Sequence, residues 1–76
     1  MPYSTNRQLP PALRKQLPEQ AQDIYRQAFN SAFAANAGEA ERDRRSQMIA
    51  WATVKLSYVK EGDKWVPRDT LASVAH

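Results

Sequence analysis

The sequence predicts a mainly α fold: a small single domain with two long helices, a short N-terminal helix and room for a tiny two-stranded β pairing. Apolar residues recur at helical spacing between residues 21 and 33, so one face of this segment is suited to burial. Two glycines, Gly38 and Gly62, divide the chain into segments long enough for helices. At 76 residues the chain has the size of one domain and can bury only a small core.

The first long helix is expected near residues 18–36. Pro18 suits the first helical position, where its missing N–H is not needed, and Glu19 complements the positive end of the helix dipole. Gly38 readily takes the left-handed conformation that satisfies the last carbonyls of a helix. A shorter helix is predicted over residues 11–16, because prolines bound this segment on both sides.

The second long helix is expected over residues 39–60, where acidic residues load its start and Gly62 stops it. Its apolar residues cover an arc wider than one neighbouring helix can bury. We expect residues 2–4 to be extended and to pair with residues 64–66, because each segment carries one aromatic residue that otherwise lacks cover.

The predicted domain covers residues 1–66, and residues 67–76 are predicted to be a flexible C-terminal tail. Leu71 and Val74 give the tail only about one helical turn of apolar pattern, which offers little to bury. The predicted core consists of Leu13, Leu17, Ile24, Tyr25, Phe29, Phe33, Trp51, Val54 and Tyr58.

Charge and cysteine content limit the location and the partners. Eleven basic and eight acidic residues give a formal charge of +3, which weakly favours acidic partners and leaves a small basic nucleic-acid-binding protein as the alternative function. Because there is no cysteine, there is no disulfide framework, and we expect a cytoplasmic protein. No apolar run approaches the roughly 20 residues that cross a bilayer, so we expect no direct membrane insertion.

The residues offer little for catalysis or for metal binding. His76 is the single histidine and cysteine is absent, which removes the common acyl-transfer triads and the usual zinc sites. Glu39 and Asp43 have i, i+4 spacing on the predicted helix, but this pattern is better explained by the helix dipole and by pairing with neighbouring arginines. We predict no enzyme activity, no cofactor and no metal site.

An apolar pair on the second long helix is the first candidate for a contact surface. Ile49 and Leu56 lie on the same side of this helix, away from Val54. Exposed together, they would form a patch for a partner; covered by Leu13 or by the tail, they would belong to the core. The sequence leaves both alternatives open.

Basic residues extend this candidate surface. Lys55 falls inside the apolar arc, where either its stem lies on the core with the ammonium in water or it marks a partner surface. The arginines at the start of the helix alternate with acidic residues, which cancels part of their field. The candidate partner surface consists of Arg42, Arg44, Arg45, Ile49, Lys55 and Leu56.

Several segments together resemble the ChaB family of small bacterial proteins. The most specific segments are LPEQAQDIYRQAFNSA and AWATVKLSYVK. The segment GDKW follows them, and MPYSTNRQLP precedes them at the start of the chain. The similarity therefore runs from about Met1 to Trp65. The resemblance implies a compact helical domain with a little strand. It also implies a non-enzymatic regulatory or adaptor protein whose partner is a ChaA-type cation/proton antiporter in the inner membrane, where contact with that partner would hold the protein at the membrane.

Overall fold

The computed structural model describes residues 2–68 and confirms the mainly α class, with two long helices, one short helix and a small antiparallel sheet. The two long helices pack against each other and form the main contact in the molecule. The elements are a 3-10 turn at Asn6–Gln8, α1 at Pro11–Gln16, α2 at Glu19–Ala35, α3 at Arg42–Ser57, β1 at Tyr58–Glu61 and β2 at Lys64–Pro67.

The predicted bounds of α1 and α2 agree with the structure to within one residue at each end. Pro18 lies at the N-cap of α2 in an extended conformation, and Gly38 follows the helix with a positive φ of 87°. The buried side chain of Gln22 on α2 contacts the end of α1, because its Nε2 donates to the carbonyl of Leu17 at 2.8 Å. That bond satisfies a carbonyl just past the end of α1.

The predicted bounds of the second long helix, residues 39–60, are wrong at both ends. Residues 39–41 lie in the turn after α2, where the N–H of Glu39 donates to the carbonyl of Asn36 at 3.0 Å. At the other end, Tyr58 leaves the helix with φ −131° and ψ 154°, and its side chain is buried. Aromatic and β-branched residues such as Tyr58 and Val59 favour the pleated conformation that follows.

The small sheet is a hairpin of β1 and β2, so the predicted pairing of residues 2–4 with residues 64–66 is wrong. The strands are antiparallel, and Lys60 lies opposite Trp65. Gly62 is the first of the two loop residues and has a φ of 64°, the conformation that a type II′ hairpin turn requires at this position. A local turn therefore provides the partner strand for Trp65.

The N-terminal segment packs on α2 instead of joining the sheet. The N–H of Tyr3 donates to Oδ1 of Asn30 at 2.8 Å, and Nδ2 of Asn30 donates to the carbonyl of Tyr3 at 2.7 Å. The Tyr3 ring lies 5.0 Å from the Phe29 ring, measured between centroids. The side-chain amide of Asn30 thus supplies both hydrogen bonds that a neighbouring strand would otherwise supply.

The core lies between α2 and α3 and is closed by the hairpin and the N-terminal turns. Ile24, Phe33 and Trp51 are only partly buried, although they were predicted as core, while Leu9 and Trp65 are buried and were not. Leu9 follows the 3-10 turn, and Trp65 points inward from β2. The predicted core residues that are buried are Leu13, Leu17, Tyr25, Phe29, Val54 and Tyr58.

The end of the described chain contacts the end of α3. Pro67 is the last residue of β2, and Nε of Arg68 donates to the carbonyl of Lys55 at 2.8 Å. The rest of the predicted tail, residues 69–76, lies outside the described residues.

Candidate partner-binding face

The third helix carries apolar residues on two opposite sides. Ser46, Ala50 and Val54, spaced four residues apart, are fully buried. On the other side, Met48 is 64% exposed, Ile49 44% and Leu56 78%. We call this second side the outer face of α3, formed by Met48, Ile49, Ala52 and Leu56.

Small residues explain the position of the buried side. Ser46 and Ala50 have no exposed surface at all, which allows the backbone of α3 to approach its neighbours closely. The Ser46 hydroxyl donates to the carbonyl of Arg42 at 2.7 Å, so this polar group is satisfied within the helix. The larger apolar side chains of α3 therefore remain for other surfaces.

Arg42, a predicted member of the partner surface, is engaged within the protein. Its guanidinium carbon lies 3.6 Å from the centroid of the Phe33 ring, and its Nε donates to the carbonyl of Phe33 at 2.5 Å. These contacts join the start of α3 to α2. Arg42 is half-buried, and its geometry is that of a structural residue.

Arg44 and Arg45 are exposed and form weak ion pairs. Nη1 of Arg44 lies 3.3 Å from Oε1 of Glu41, and Nε of Arg45 lies 3.6 Å from Oε2 of Glu39. Exposed ion pairs of this kind stabilise the fold by only about 0–1 kcal/mol, so either arginine can exchange its carboxylate partner for another one. Glu39 precedes α3, so it does not share a helix face with Asp43 as predicted.

A shallow groove separates α3 from the hairpin. Its apolar part includes Trp51 and Trp65, whose ring centroids are 5.3 Å apart. Trp51 also contacts Tyr25 edge-on at 5.3 Å. We call this depression the basic groove; it is lined by the cations Arg44, Lys55 and Lys60, by the apolar residues Met48, Trp51, Ala52 and Trp65, and by Gln16 and Gln47.

The aromatic cluster beneath this groove contains a phenol, that of Tyr25, whose pKa is strongly shifted. Burial raises the pKa of Tyr25 to about 12, and the neighbouring Tyr3 adds to the shift. The phenol is therefore neutral at physiological pH, which suits a residue that packs against Phe29 and Trp51.

Three further features of residues 2–68 concern metal binding, membrane insertion and hydrogen bonding. Nowhere in this range do three side chains of the His, Cys, Asp or Glu types come close enough to hold a metal ion. Within the same range, every helix is too short or too polar to cross a bilayer. The indole Nε1 of Trp65 is buried and lacks a hydrogen-bond partner among these residues.

The structure exposes Ile49, Lys55 and Leu56, for which the sequence left two alternatives open, and the predicted surface did not include Met48 or Lys60. Met48 has the i, i+4, i+8 spacing with Ala52 and Leu56 that defines the outer face. Lys60 was assigned to the helix end, whereas it lies on β1. Recognising the hairpin would have placed Lys60 beside the groove.

Comparisons with known proteins identify the family. The ChaB family model matches residues 9–68, which include the core, the outer face and the hairpin. The chain belongs to the ChaB family. A relative from Escherichia coli K12, named "Putative cation transport regulator ChaB", is 42% identical over 72 residues, which cover 86% of this chain and 95% of the relative. A Shigella flexneri protein of the same name has the same identity and coverage.

A solved ChaB structure has the same fold. The structure titled "NMR solution structure of the putative cation transport regulator ChaB" matches with a TM-score of 0.77 at 40% sequence identity, and the match covers 87% of this chain and 97% of that one. The names of the ChaB relatives support a regulatory role connected with cation transport. They specify neither a binding partner nor the residues that act.

Proposed function

We propose that this protein is a non-enzymatic regulator or adaptor that acts by protein–protein contact through the outer face of α3. Its proposed partner is a ChaA-type cation/proton antiporter, which follows from the resemblance to the ChaB family and from the regulatory role in the relatives' names. The protein would act in the cytoplasm and would reach the inner membrane through this partner.

The observation that carries the proposal is the exposure of Ile49 and Leu56 together with Met48. The exposed large apolar side chains of residues 2–68 all lie on this one helix face, and exposed apolar surface of this kind marks contact sites. Their burial by a partner would be favourable, at about 25 cal/mol for each Å² of apolar area removed from water.

The position of the face also suits regulation by contact. Arg44 and Arg45 lie near one end of the outer face, and Lys55 lies beside the other. Charged residues around an apolar centre speed association and select partners of opposite charge. The face thus has the composition of a small protein–protein interface.

Nucleic-acid binding is the alternative, supported by the formal charge of +3. Two of the three predicted surface arginines are paired with carboxylates, and Arg42 is engaged with Phe33. These contacts engage all three arginines of the candidate surface, which weakens its attraction for phosphates.

Co-purification tests the proposal. Tagged protein is co-expressed with a ChaA-type antiporter, membranes are solubilised with nuclease present, and the antiporter is quantified in the eluate. Wild type is expected to retain the antiporter and Ile49→Gln/Leu56→Gln to lose it; glutamine keeps a high helix propensity, so the fold should be unaffected. The matched control, Ser31→Gln/Ala34→Gln, changes exposed positions on α2 and should retain the antiporter.

Two results would contradict the proposal. One is antiporter recovery that is equal for wild type and for the Ile49→Gln/Leu56→Gln variant. The other is a nuclease-sensitive set of captured proteins without the antiporter, which would favour the nucleic-acid alternative.

A further inference from the structure

We propose that the basic groove beside α3 binds an acidic partner segment whose apolar side chains insert between its cations. The occupant is a peptide segment with carboxylates flanking one or two apolar residues. This inference rests on the proposed function, since it takes the partner to be a protein, and it goes further by specifying the chemistry of the partner's contacting segment.

The charges that line the groove have a single sign. Arg44, Lys55 and Lys60 line it, and none of its lining residues is a carboxylate. Among residues 2–68, neither Lys55 nor Lys60 has an ion-pair partner. Arg44 is held only by the exposed contact with Glu41. An acidic segment would therefore meet two unpaired ammonium groups and one exchangeable guanidinium.

The floor of the groove is apolar and partly open. Met48 is largely exposed, Ala52 is exposed and Trp51 is half-buried. Met48 and Ala52 also belong to the outer face of α3, so the groove continues directly into that surface. Methionine adapts its shape to different partner side chains, which suits a contact surface.

A second cationic depression, lined by Arg14, Lys15 and Lys64, serves as a comparison. Its apolar residues include Leu17 and Trp65, which are buried in the core. Pro18 is exposed and Val66 is half-buried there, but no residue of α3 lines this depression, so it does not continue into the outer face. The continuity with the outer face of α3 favours the basic groove.

The same geometry disfavours nucleic acid in the groove. Base stacking needs an open aromatic face, but Trp65 is only 9% exposed. Trp51 is half-buried, and its ring contacts the rings of Tyr25 and Trp65. Three cations are also fewer than the 6–10 phosphate contacts typical of tight nucleic-acid binding.

Peptide titration tests the groove. The probe is a synthetic peptide in which glutamates flank one or two leucines. Binding is followed by tryptophan fluorescence and by amide chemical shifts. We expect shifts at Lys55, Lys60 and Trp65, and affinity that falls as salt rises from about 0.05 to 0.3 M.

Charge reversal locates the site. Lys55→Glu/Lys60→Glu should weaken peptide binding about tenfold, because two attractive pairs become repulsive. The control Lys15→Glu/Lys64→Glu has the same net charge and alters the comparison depression, and it should stay within about twofold of wild type. Equal weakening by both variants would overturn the proposal, since binding would then follow net charge alone.

Three other outcomes would also overturn the groove assignment. A probe with lysine in place of each glutamate could bind as well as the acidic probe. Single-stranded DNA could bind more tightly than the peptide with shifts at the same residues. Removal of residues 69–76 could shift the groove amides without any peptide, which would assign the groove to the chain's own C-terminal segment.

The antiporter capture separates this inference from the proposed function. Lys55→Glu/Lys60→Glu is expected to lose the antiporter, as Ile49→Gln/Leu56→Gln does. If the lysine variant keeps the antiporter while the outer-face variant loses it, the proposal that the groove binds the partner is contradicted and the proposed function stands. If both variants keep it, the proposed function itself is contradicted.

Discussion

The two long helices are nearly equal in length, 17 residues in α2 and 16 in α3, yet they use their apolar residues differently. In α2, the large apolar residues Ile24, Tyr25, Phe29 and Phe33 all belong to the core or pack against it. In α3, apolar residues divide between a buried side and the outer face. The helix whose sequence is easiest to recognise therefore has a structural role, and the other helix carries the surface available for contact.

The neighbours of each helix explain this difference. Helix α2 packs against α3, α1 and the 3-10 turn, and the Tyr3 ring contacts the Phe29 ring. The main neighbours of α3 are α2 and the start of the hairpin. A helix with neighbours on fewer sides leaves part of its circumference in solvent, and here that part includes the apolar outer face.

Truncating Phe29 should cause the largest loss of stability. Phe29 is 1% exposed and contacts the rings of Tyr3, Tyr25 and Phe33. We expect Phe29→Ala to lower the free energy of unfolding by about 3–5 kcal/mol, measured by urea denaturation. Leu56→Ala, the outer-face control, should change it by less than about 0.5 kcal/mol. Comparable losses at both positions would remove the contrast between the helices.

Removing the side-chain amide of Asn30 should have the next largest effect. Asn30→Ala breaks both hydrogen bonds to the Tyr3 backbone. We expect the free energy of unfolding to fall by about 1–2 kcal/mol and the backbone amide of Tyr3 to exchange faster. Gln27→Ala on the exposed side of α2 is the control and should leave that exchange unchanged. If amide exchange at Tyr3 is equally fast in wild type, the N-terminal segment is not held in this way.

Local signals in the sequence predicted the bounds of α1 and α2 well, because a proline or a glycine begins or ends a helix at its own position in the chain. The end of α3 was missed because apolar residues continue at helical spacing through Tyr58. The competing signal was Gly62 followed by Asp63 between two β-prone segments, a pattern typical of a two-residue hairpin turn. Asn30 contacts Tyr3, 27 residues away, and no local pattern indicates such a bond.

Replacing Arg42 tests the connection between the two helices. Lysine would keep the positive charge near Phe33 but would lose the planar guanidinium and the Nε–H that donates to the Phe33 carbonyl. We expect Arg42→Lys to lower the free energy of unfolding by about 1 kcal/mol. Arg44→Lys is the matched control and should have no measurable effect. Equal effects would mean that Arg42 is a surface residue like Arg44.

Alkaline pH should reveal the burial of Tyr25. The phenol ionises near pH 10.0 in the unfolded chain but near 12 in the folded one. Between these values the folded state binds more protons, so the free energy of unfolding falls as pH rises through this range. Tyr25→Phe removes this contribution, and its stability should fall less steeply with pH than that of wild type. If the free energy of unfolding falls with pH equally steeply in both proteins, the pKa of Tyr25 is not raised in the folded state.

The candidate surface could be predicted only in part, since exposure depends on what else packs against a helix. Helical spacing put Ile49 and Leu56 on one side, but it could not show whether another segment covers them. Leu13, one proposed cover, packs in the core instead. The arginines were predicted as a group, and the structure separates Arg42 from the other two through its contact with Phe33.

The most direct test of the account measures transport. Purified protein is added to inverted membrane vesicles that contain a ChaA-type antiporter, and cation/proton exchange is recorded with a pH-sensitive dye. We expect wild type and Ser31→Gln/Ala34→Gln to change the exchange rate equally, and Ile49→Gln/Leu56→Gln to leave it at the level seen without protein. Thermal unfolding of the three proteins should agree closely, because only exposed positions differ. An outer-face variant that is folded and still changes exchange as wild type does would contradict the account.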